Sequence, residues 1–177
     1  MAMRFWRFKT MNRTKRLTSL SLLISVAMIL SYIESLVPAF VAVPGIKVGL
    51  SNIATVFALY TVGAPGAVVV SLIRVVLSSL LFGNFAMMIY SLSGAAFALM
   101  FMIILKVADV FSEVGVSVAG GVMHNAGQVI AAAFMMENAG IVSYLVPLVI
   151  SGTVAGVAVG LISALLIKRI GRYIRNL

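Results

Sequence analysis

The stretch VGLSNIATVFALYTVGAPGAVVVSLIRVVLSSLLFGNFAMMIYSLSGAAFALMFMIIL (48–105) decides the fold, because Arg74 is its single charged residue. Uncharged apolar segments of this length are typical of membrane-spanning helices, each of which needs about 20 residues to cross the hydrocarbon. Arg74 is therefore expected inside the bilayer, where a guanidinium stays protonated and is costly to bury without a partner. Such a charge indicates a substrate site, an ion path or a buried ion pair.

The composition extends this prediction to nearly the whole chain. The 177 residues are 63% hydrophobic and 10% charged, and the mean hydropathy is +1.19. Soluble domains are about 45–50% apolar and about 25% charged. We therefore expect a multi-pass protein of the cytoplasmic membrane with one membrane domain and no separate soluble domain. The chain has no cysteine, which excludes disulfides, iron–sulfur clusters and thiol catalysis.

The net charge of +9 is concentrated at the two ends of the chain. Ten of the thirteen basic residues lie there: Arg4, Arg7, Lys9, Arg13, Lys15, Arg16, Lys168, Arg169, Arg172 and Arg175. Because basic flanks favour the cytoplasmic side, both termini are predicted to be cytoplasmic. Their expected contacts are lipid headgroups, and no nucleic-acid partner is predicted. The domain organisation is then a basic cytoplasmic segment at 1–16, a membrane domain at 17–167 and a basic cytoplasmic tail at 168–177.

Helix breakers and charges divide the membrane domain into six predicted helices. The expected fold is an all-α integral membrane protein, a bundle of six transmembrane helices. The predicted spans are roughly 17–37, 47–62, 67–82, 85–105, 114–136 and 141–167. An even number of spans places both termini on one side of the membrane, in agreement with the charge bias. The second and third spans are short enough to be tilted, broken or partly re-entrant.

Small residues recur at intervals of four on two of the predicted helices. They are Gly152, Gly156, Gly160 and Ala164 on the sixth helix, and Ser21, Ser25, Ala27, Ser31 and Ser35 on the first. Such stripes let helix backbones approach closely in lipid. On the sixth helix the expected role is packing within the bundle. On the first helix an intermolecular face is an equal alternative.

Polar side chains at membrane depth form a candidate binding site. Arg74 is a candidate for binding an anion; the alternatives are a buried pair with Glu34 and a position nearer the interface. His124 and Gln128 share one face of the fifth predicted helix, and Asn125 lies beside them. Three hydrogen-bonding residues so close together favour ligand binding. Interhelical hydrogen bonding and proton relay by His124 are the alternatives.

The remaining candidates shift this polar set toward the predicted outer half of the bilayer. Asn52 lies near the outer end of the second predicted helix, Ser91 lies two turns into the fourth, and Lys47 lies at the expected mouth. The asymmetry favours a cavity that opens outward over a continuous channel. With Lys47 above Arg74, an anionic or electron-rich ligand is expected, that is, a small anionic or aromatic molecule.

No motif indicates a catalytic, metal or cofactor site, so we expect a protein that is not an enzyme. The chain has one histidine, and its four carboxylates are scattered, which does not suit a metal site. There is no aspartate-rich motif of the kind that binds magnesium diphosphates. There is no GxxxxGK[ST] loop, so energised transport would need an ATPase on another chain.

Five segments of the chain carry a resemblance to a known family. They are PGIKVGLSNIATVFALY (44–60), SLIRVVLSSLLFGN (71–84), YSLSG (90–94), GGVMHNAGQVIAAA (120–133) and YLVPLVISGTVAGVAVG (144–160). In this order they resemble the bacterial membrane family called Gx transporter, which is also labelled heptaprenyl diphosphate synthase component I. The resemblance covers about residues 17–167.

The resemblance implies a function, because this family is grouped with the substrate-binding S components of energy-coupling-factor (ECF) vitamin transporters. It implies a six-helix bundle with an outward-facing pocket that captures a small molecule, together with an ECF coupling subunit and ATPases as partners. S components dock the coupling subunit through an Ala-x-x-x-Ala pattern on the first helix, where this chain has Ser21 and Ser25. The synthase label implies an alternative function, a membrane accessory subunit of a prenyl diphosphate synthase.

Overall fold

The computed structural model describes residues 12–36 and 49–170. These residues form six α-helices and one 3₁₀ helix, and no strand occurs among them. The helices are α1 (Arg13–Leu36), α2 (Asn52–Thr61), α3 (Ala64–Phe82), α4 (Phe85–Ala108), α5 (Glu113–Met135) and α6 (Leu145–Arg169), with the 3₁₀ helix at Ala139–Tyr144. The predictions of an all-α fold and of six helices are confirmed.

The helices differ in their ability to cross a membrane. Four segments are long and apolar enough by length and composition: α1, α3, α4 and the segment Gly140–Arg169, which contains α6. The 23 residues of α5 reach about 35 Å, but this helix carries more polar side chains. The ten residues of α2 reach about 15 Å, half of a hydrocarbon core of about 30 Å. The number of spans, the cytoplasmic termini and the cytoplasmic-membrane location therefore stay predictions.

Local capping explains where several helices begin and end. Helix α1 begins at Arg13 and so takes in the end of the predicted basic segment 1–16. Helix α3 begins at Ala64, three residues before the predicted start at 67, because Pro65 lies in the first helical turn, where a missing N–H is not needed. Helix α4 continues to Ala108 and stops where Asp109 adopts a left-handed conformation with φ 55°.

The short helix α2 is surrounded by the rest of the bundle. Eight of its ten residues are buried, and it packs against α1, α3 and α6. A helix that is apolar on all sides needs protein around it. Lys106 of α4 donates to the Leu59 carbonyl at the C-terminal end of α2 and lies 5.0 Å from the centre of the Tyr60 ring. The Lys106 ammonium group stabilises the negative end of the α2 dipole and fixes the position of α2 along its axis.

The glycines of α6 face α5. A Cβ atom added at Gly156 would lie 2.6 Å from the Val118 Cα, and one added at Gly160 would lie 2.8 Å from the Val114 Cα. Only glycine allows the two backbones to come this close. The prediction that these glycines pack within the bundle is confirmed.

Ser21 and Ser25 of α1 have the opposite placement. Both are exposed, whereas Leu23, Ala27 and Ser31 on the other side of the helix are buried. The Ser25 hydroxyl donates to the Ser21 carbonyl at 2.9 Å, so its hydrogen-bond donor is already satisfied within the helix. These serines are not used in packing the bundle, and their predicted role in docking a coupling subunit stays a prediction.

Candidate functional site

A cavity lies in one half of the bundle. Its walls come from the C-terminal halves of α1 and α3, the N-terminal end of α2 and parts of α4, α5 and α6, and its empty volume, counted out to the open mouth, is about 900 Å³. The cavity brings together six predicted binding residues: Asn52, Arg74, Ser91, His124, Asn125 and Gln128. Lys47, the remaining one, lies outside the described residues. That the cavity faces outward stays a prediction.

Arg74 lies in the wall of this cavity and is only 8% exposed. Its Nη1 donates to the Ser51 hydroxyl at 2.5 Å, and its Nη2 donates to Asn52 Oδ1 at 3.2 Å. Its Nε is buried and has no hydrogen-bond partner among the described residues. Because a guanidinium has five N–H donors in a rigid fork, these two bonds fix its orientation and leave donors for a ligand.

Glu34 reaches Arg74 through an intermediate group. Glu34 Oε1 accepts from the Gly49 backbone N–H at 2.5 Å, and Oε2 accepts from the Ser51 hydroxyl at 3.3 Å. The Ser51 hydroxyl thus accepts from Arg74 and donates to Glu34. Arg74 and Glu34 therefore form no direct ion pair, and the alternative of a buried pair is replaced by a contact through Ser51, while the guanidinium keeps N–H donors that these bonds do not use.

The polar cluster of α5 divides between two roles. Asn125 Nδ2 donates to the Leu148 carbonyl of α6 at 2.6 Å and lies 3.4 Å from the Ser151 hydroxyl. Its amide nitrogen therefore serves interhelical hydrogen bonding, the alternative considered for this cluster. His124 and Gln128 lie one helical turn apart in the cavity wall.

A glycine of α4 makes room for these two side chains. A Cβ atom added at Gly94 would lie 2.7 Å from the His124 carbonyl oxygen and 2.9 Å from Gln128 Cγ. The neighbouring Ser93 donates to the Gly127 carbonyl at 2.8 Å and joins α4 to α5. Ser91 lies two residues before Ser93 on α4 and lines the cavity.

Several polar residues of the cavity wall are not among the predicted binding residues. They include the serines Ser31, Ser35, Ser78 and Ser79, and also Glu34, which is predicted only as a partner of Arg74. The sequence signal that could identify these residues is their spacing along the helices. Ser31, Glu34 and Ser35 share one helical face, and Ser78 lies four residues after Arg74. The Ser31 hydroxyl is buried and has no hydrogen-bond partner among the described residues.

The chemistry of this site is hydrogen bonding and charge recognition. Its walls carry one guanidinium, one carboxylate, one imidazole, several hydroxyls and three side-chain amides. Within residues 12–36 and 49–170, no group of three histidine, cysteine, aspartate or glutamate residues could hold a metal ion. The arrangement suits the binding of a small polar molecule.

The substitutions Asn125→Ala and Gln128→Ala are expected to have different effects on stability and on ligand retention. Asn125→Ala removes the bond to Leu148 and should lower the free energy of unfolding by about 0.6–1.7 kcal/mol, the range measured for interhelical hydrogen bonds in membranes. Gln128→Ala, the matched control one turn away, should affect stability less and ligand retention more. Denaturation in mixed micelles and native mass spectrometry measure the two effects. The reverse order would contradict the division of roles.

Comparison with known proteins gives one match. The family described as heptaprenyl diphosphate synthase component I matches residues 23–166. No curated protein matches the chain, and no solved structure matches it. All cavity residues described above lie within the matched range. Since the match takes in most of the chain, the chain belongs to the heptaprenyl diphosphate synthase component I family.

Proposed function

We propose that this chain is a membrane-embedded ligand-binding subunit that holds a small molecule with an anionic group in the cavity around Arg74. The observation that carries the proposal is the buried guanidinium. Arg74 lines a polar cavity, is oriented by Ser51 and Asn52, and has no partner for its Nε among the described residues. A charge at membrane depth is costly and usually marks a substrate or ion site. Ser91, His124 and Gln128 would contact the rest of the ligand.

The family description favours one setting for this subunit. It names a component of heptaprenyl diphosphate synthase, which supports the role of a membrane accessory subunit that scaffolds a soluble prenyltransferase. The absence of an aspartate-rich motif in the sequence is consistent with a non-catalytic component.

Uptake is the second setting, and the family description supports it less well. A cavity confined to one half of the bundle is the form expected of a substrate-capturing subunit, and the resemblance to ECF S components points the same way. In this setting the cavity faces outward, both termini are cytoplasmic, and a coupling subunit with ATPases docks near Ser21 and Ser25. The chain itself would not be an enzyme.

Two measurements test the proposal. Native mass spectrometry of the full chain, purified in mild detergent, should reveal a bound small molecule; spectra that show only lipid and detergent adducts would contradict ligand binding. Affinity purification from native membranes should then separate the settings. Recovery of a soluble prenyltransferase supports the accessory subunit, and recovery of a coupling subunit with ATPases supports uptake.

A further inference from the structure

The cavity carries a carboxylate as well as a guanidinium. Glu34 lines the wall that α1 contributes, and Arg74 lines the wall that α3 contributes. The Ser51 hydroxyl lies 2.5 Å from Arg74 Nη1 and 3.3 Å from Glu34 Oε2. The two charged groups are thus two hydrogen bonds apart. This separation suits a ligand whose opposite charges are only a few bonds from each other.

The Glu34 carboxylate contacts the N-terminal end of α2. It accepts from Gly49 and Ser51 at this end, where the helix dipole is positive and stabilises an anion. Among the described residues both donors to Glu34 are neutral, and each carboxylate oxygen can accept a further bond. Glu34 therefore keeps acceptor capacity for a cationic donor in the cavity. The Ser31 hydroxyl, one turn earlier on α1, is buried without a partner in the described part of the chain and adds a polar group to the same wall.

A ligand with only negative charge is disfavoured by this arrangement. Bound at Arg74, its anionic group would lie near the Glu34 carboxylate, and repulsion between like charges is weakly screened away from water. A cationic group on the same ligand, placed at Glu34, turns this repulsion into attraction. From the two walls together we infer that the ligand is a zwitterion of the α-amino acid or betaine type. This inference rests on the proposed function and names the ligand class of the same cavity.

Matched probes test the charge requirement. The full-length chain in detergent is heated with glycine betaine and with the free α-amino acids whose side chains are uncharged. Each amino acid is compared with its N-acetyl derivative, which is only anionic, and with its amide, which is only cationic. At least one zwitterion should raise the Tm, and its two derivatives should bind at least about tenfold more weakly.

A single-atom change at Glu34 then shows whether its charge sets this preference. In Glu34→Gln the disadvantage of the N-acetyl derivative should shrink to within about threefold, because glutamine keeps an acceptor for Gly49 or Ser51 and loses the charge. Glu113→Gln is the matched control, since it makes the same change at the start of α5, outside the cavity. It should keep the wild-type ranking of the probes.

Three results would overturn the inference. They are equal binding of the N-acetyl derivative and the free amino acid, no stabilisation by any zwitterion, and an unchanged ranking in Glu34→Gln, which would leave Glu34 only the role of holding α2. Native mass spectrometry separates this inference from the proposed function. A co-purified anion without a cationic group overturns the zwitterion and leaves ligand binding intact, whereas a chain without any bound molecule contradicts both.

Discussion

Arg74→Met is expected to abolish ligand retention while the chain still folds. Arg74 donates to Ser51 and Asn52 with one N–H of each terminal nitrogen, so its loss removes the cation and the fork that positions an anionic group. A charge-assisted contact contributes about 1.5–3 kcal/mol, so the loss of two or more such contacts weakens binding at least about a hundredfold. The variant should fold with lower stability, because methionine removes one partner of a buried charged network, whereas Glu34 keeps its bonds to Gly49 and Ser51.

The conservative variant sharpens this expectation. Arg74→Lys keeps the charge but cannot donate to Ser51 and Asn52 in one plane, so its ligand retention should lie between those of the wild type and Arg74→Met. Arg169→Met, at the exposed end of α6, is the matched control and should bind as the wild type does. Native mass spectrometry and Tm shifts measure all three variants. Wild-type retention in Arg74→Met would remove Arg74 from the site.

Gly152→Ala is expected to cause a large loss of stability. A Cβ atom at Gly152 would lie 2.8 Å from the Gly121 carbonyl oxygen and 2.9 Å from Asn125 Nδ2. The first of these atoms is backbone, so relief requires α5 and α6 to move apart. Overpacking of this kind costs about 1–3 kcal/mol, and the shift would also lengthen the bond from Asn125 to Leu148. Reversible denaturation in mixed micelles measures the effect.

Gly115→Ala is the control for this steric argument. Its added Cβ atom would meet Phe111 Cβ at 3.4 Å, an ordinary contact. Because alanine favours a helix over glycine by up to about 1 kcal/mol, this variant should be neutral or stabilising. Equal destabilisation by Gly115→Ala and Gly152→Ala would show that close approach is not what requires glycine at position 152.

Local signals made some boundaries predictable from sequence. The predicted helix 85–105 begins where α4 begins, because Asn84 caps it by accepting from the Met87 N–H at 2.8 Å. The start of α5 is similarly marked by Ser112, which accepts from the Gly115 N–H at 3.3 Å. Capping residues act on neighbours three positions away, so sequence alone reveals them.

Contacts between distant residues were not predictable in the same way. The second predicted helix begins at 47, whereas α2 begins at Asn52, since Gly49 adopts φ 74° and its N–H bonds to Glu34, fifteen residues earlier. The similar predicted depth of Arg74 and of the polar side chains of α5 correctly indicated that they share one cavity. It could not show that Asn125 turns its amide toward α6, because that depends on how each helix is rotated in the bundle.

The short helix α2 has a consequence for how the protein enters the membrane. Its ten residues are too few to cross a bilayer as an independent helix, which needs about 20. Its buried surface needs protein around it, and the Gly49 N–H before its N-terminal end depends on Glu34 of α1 for a partner. We therefore expect α2 to pack late, once α1 and α3 are in place. The cavity would then be completed when the helices assemble, rather than when each of them inserts.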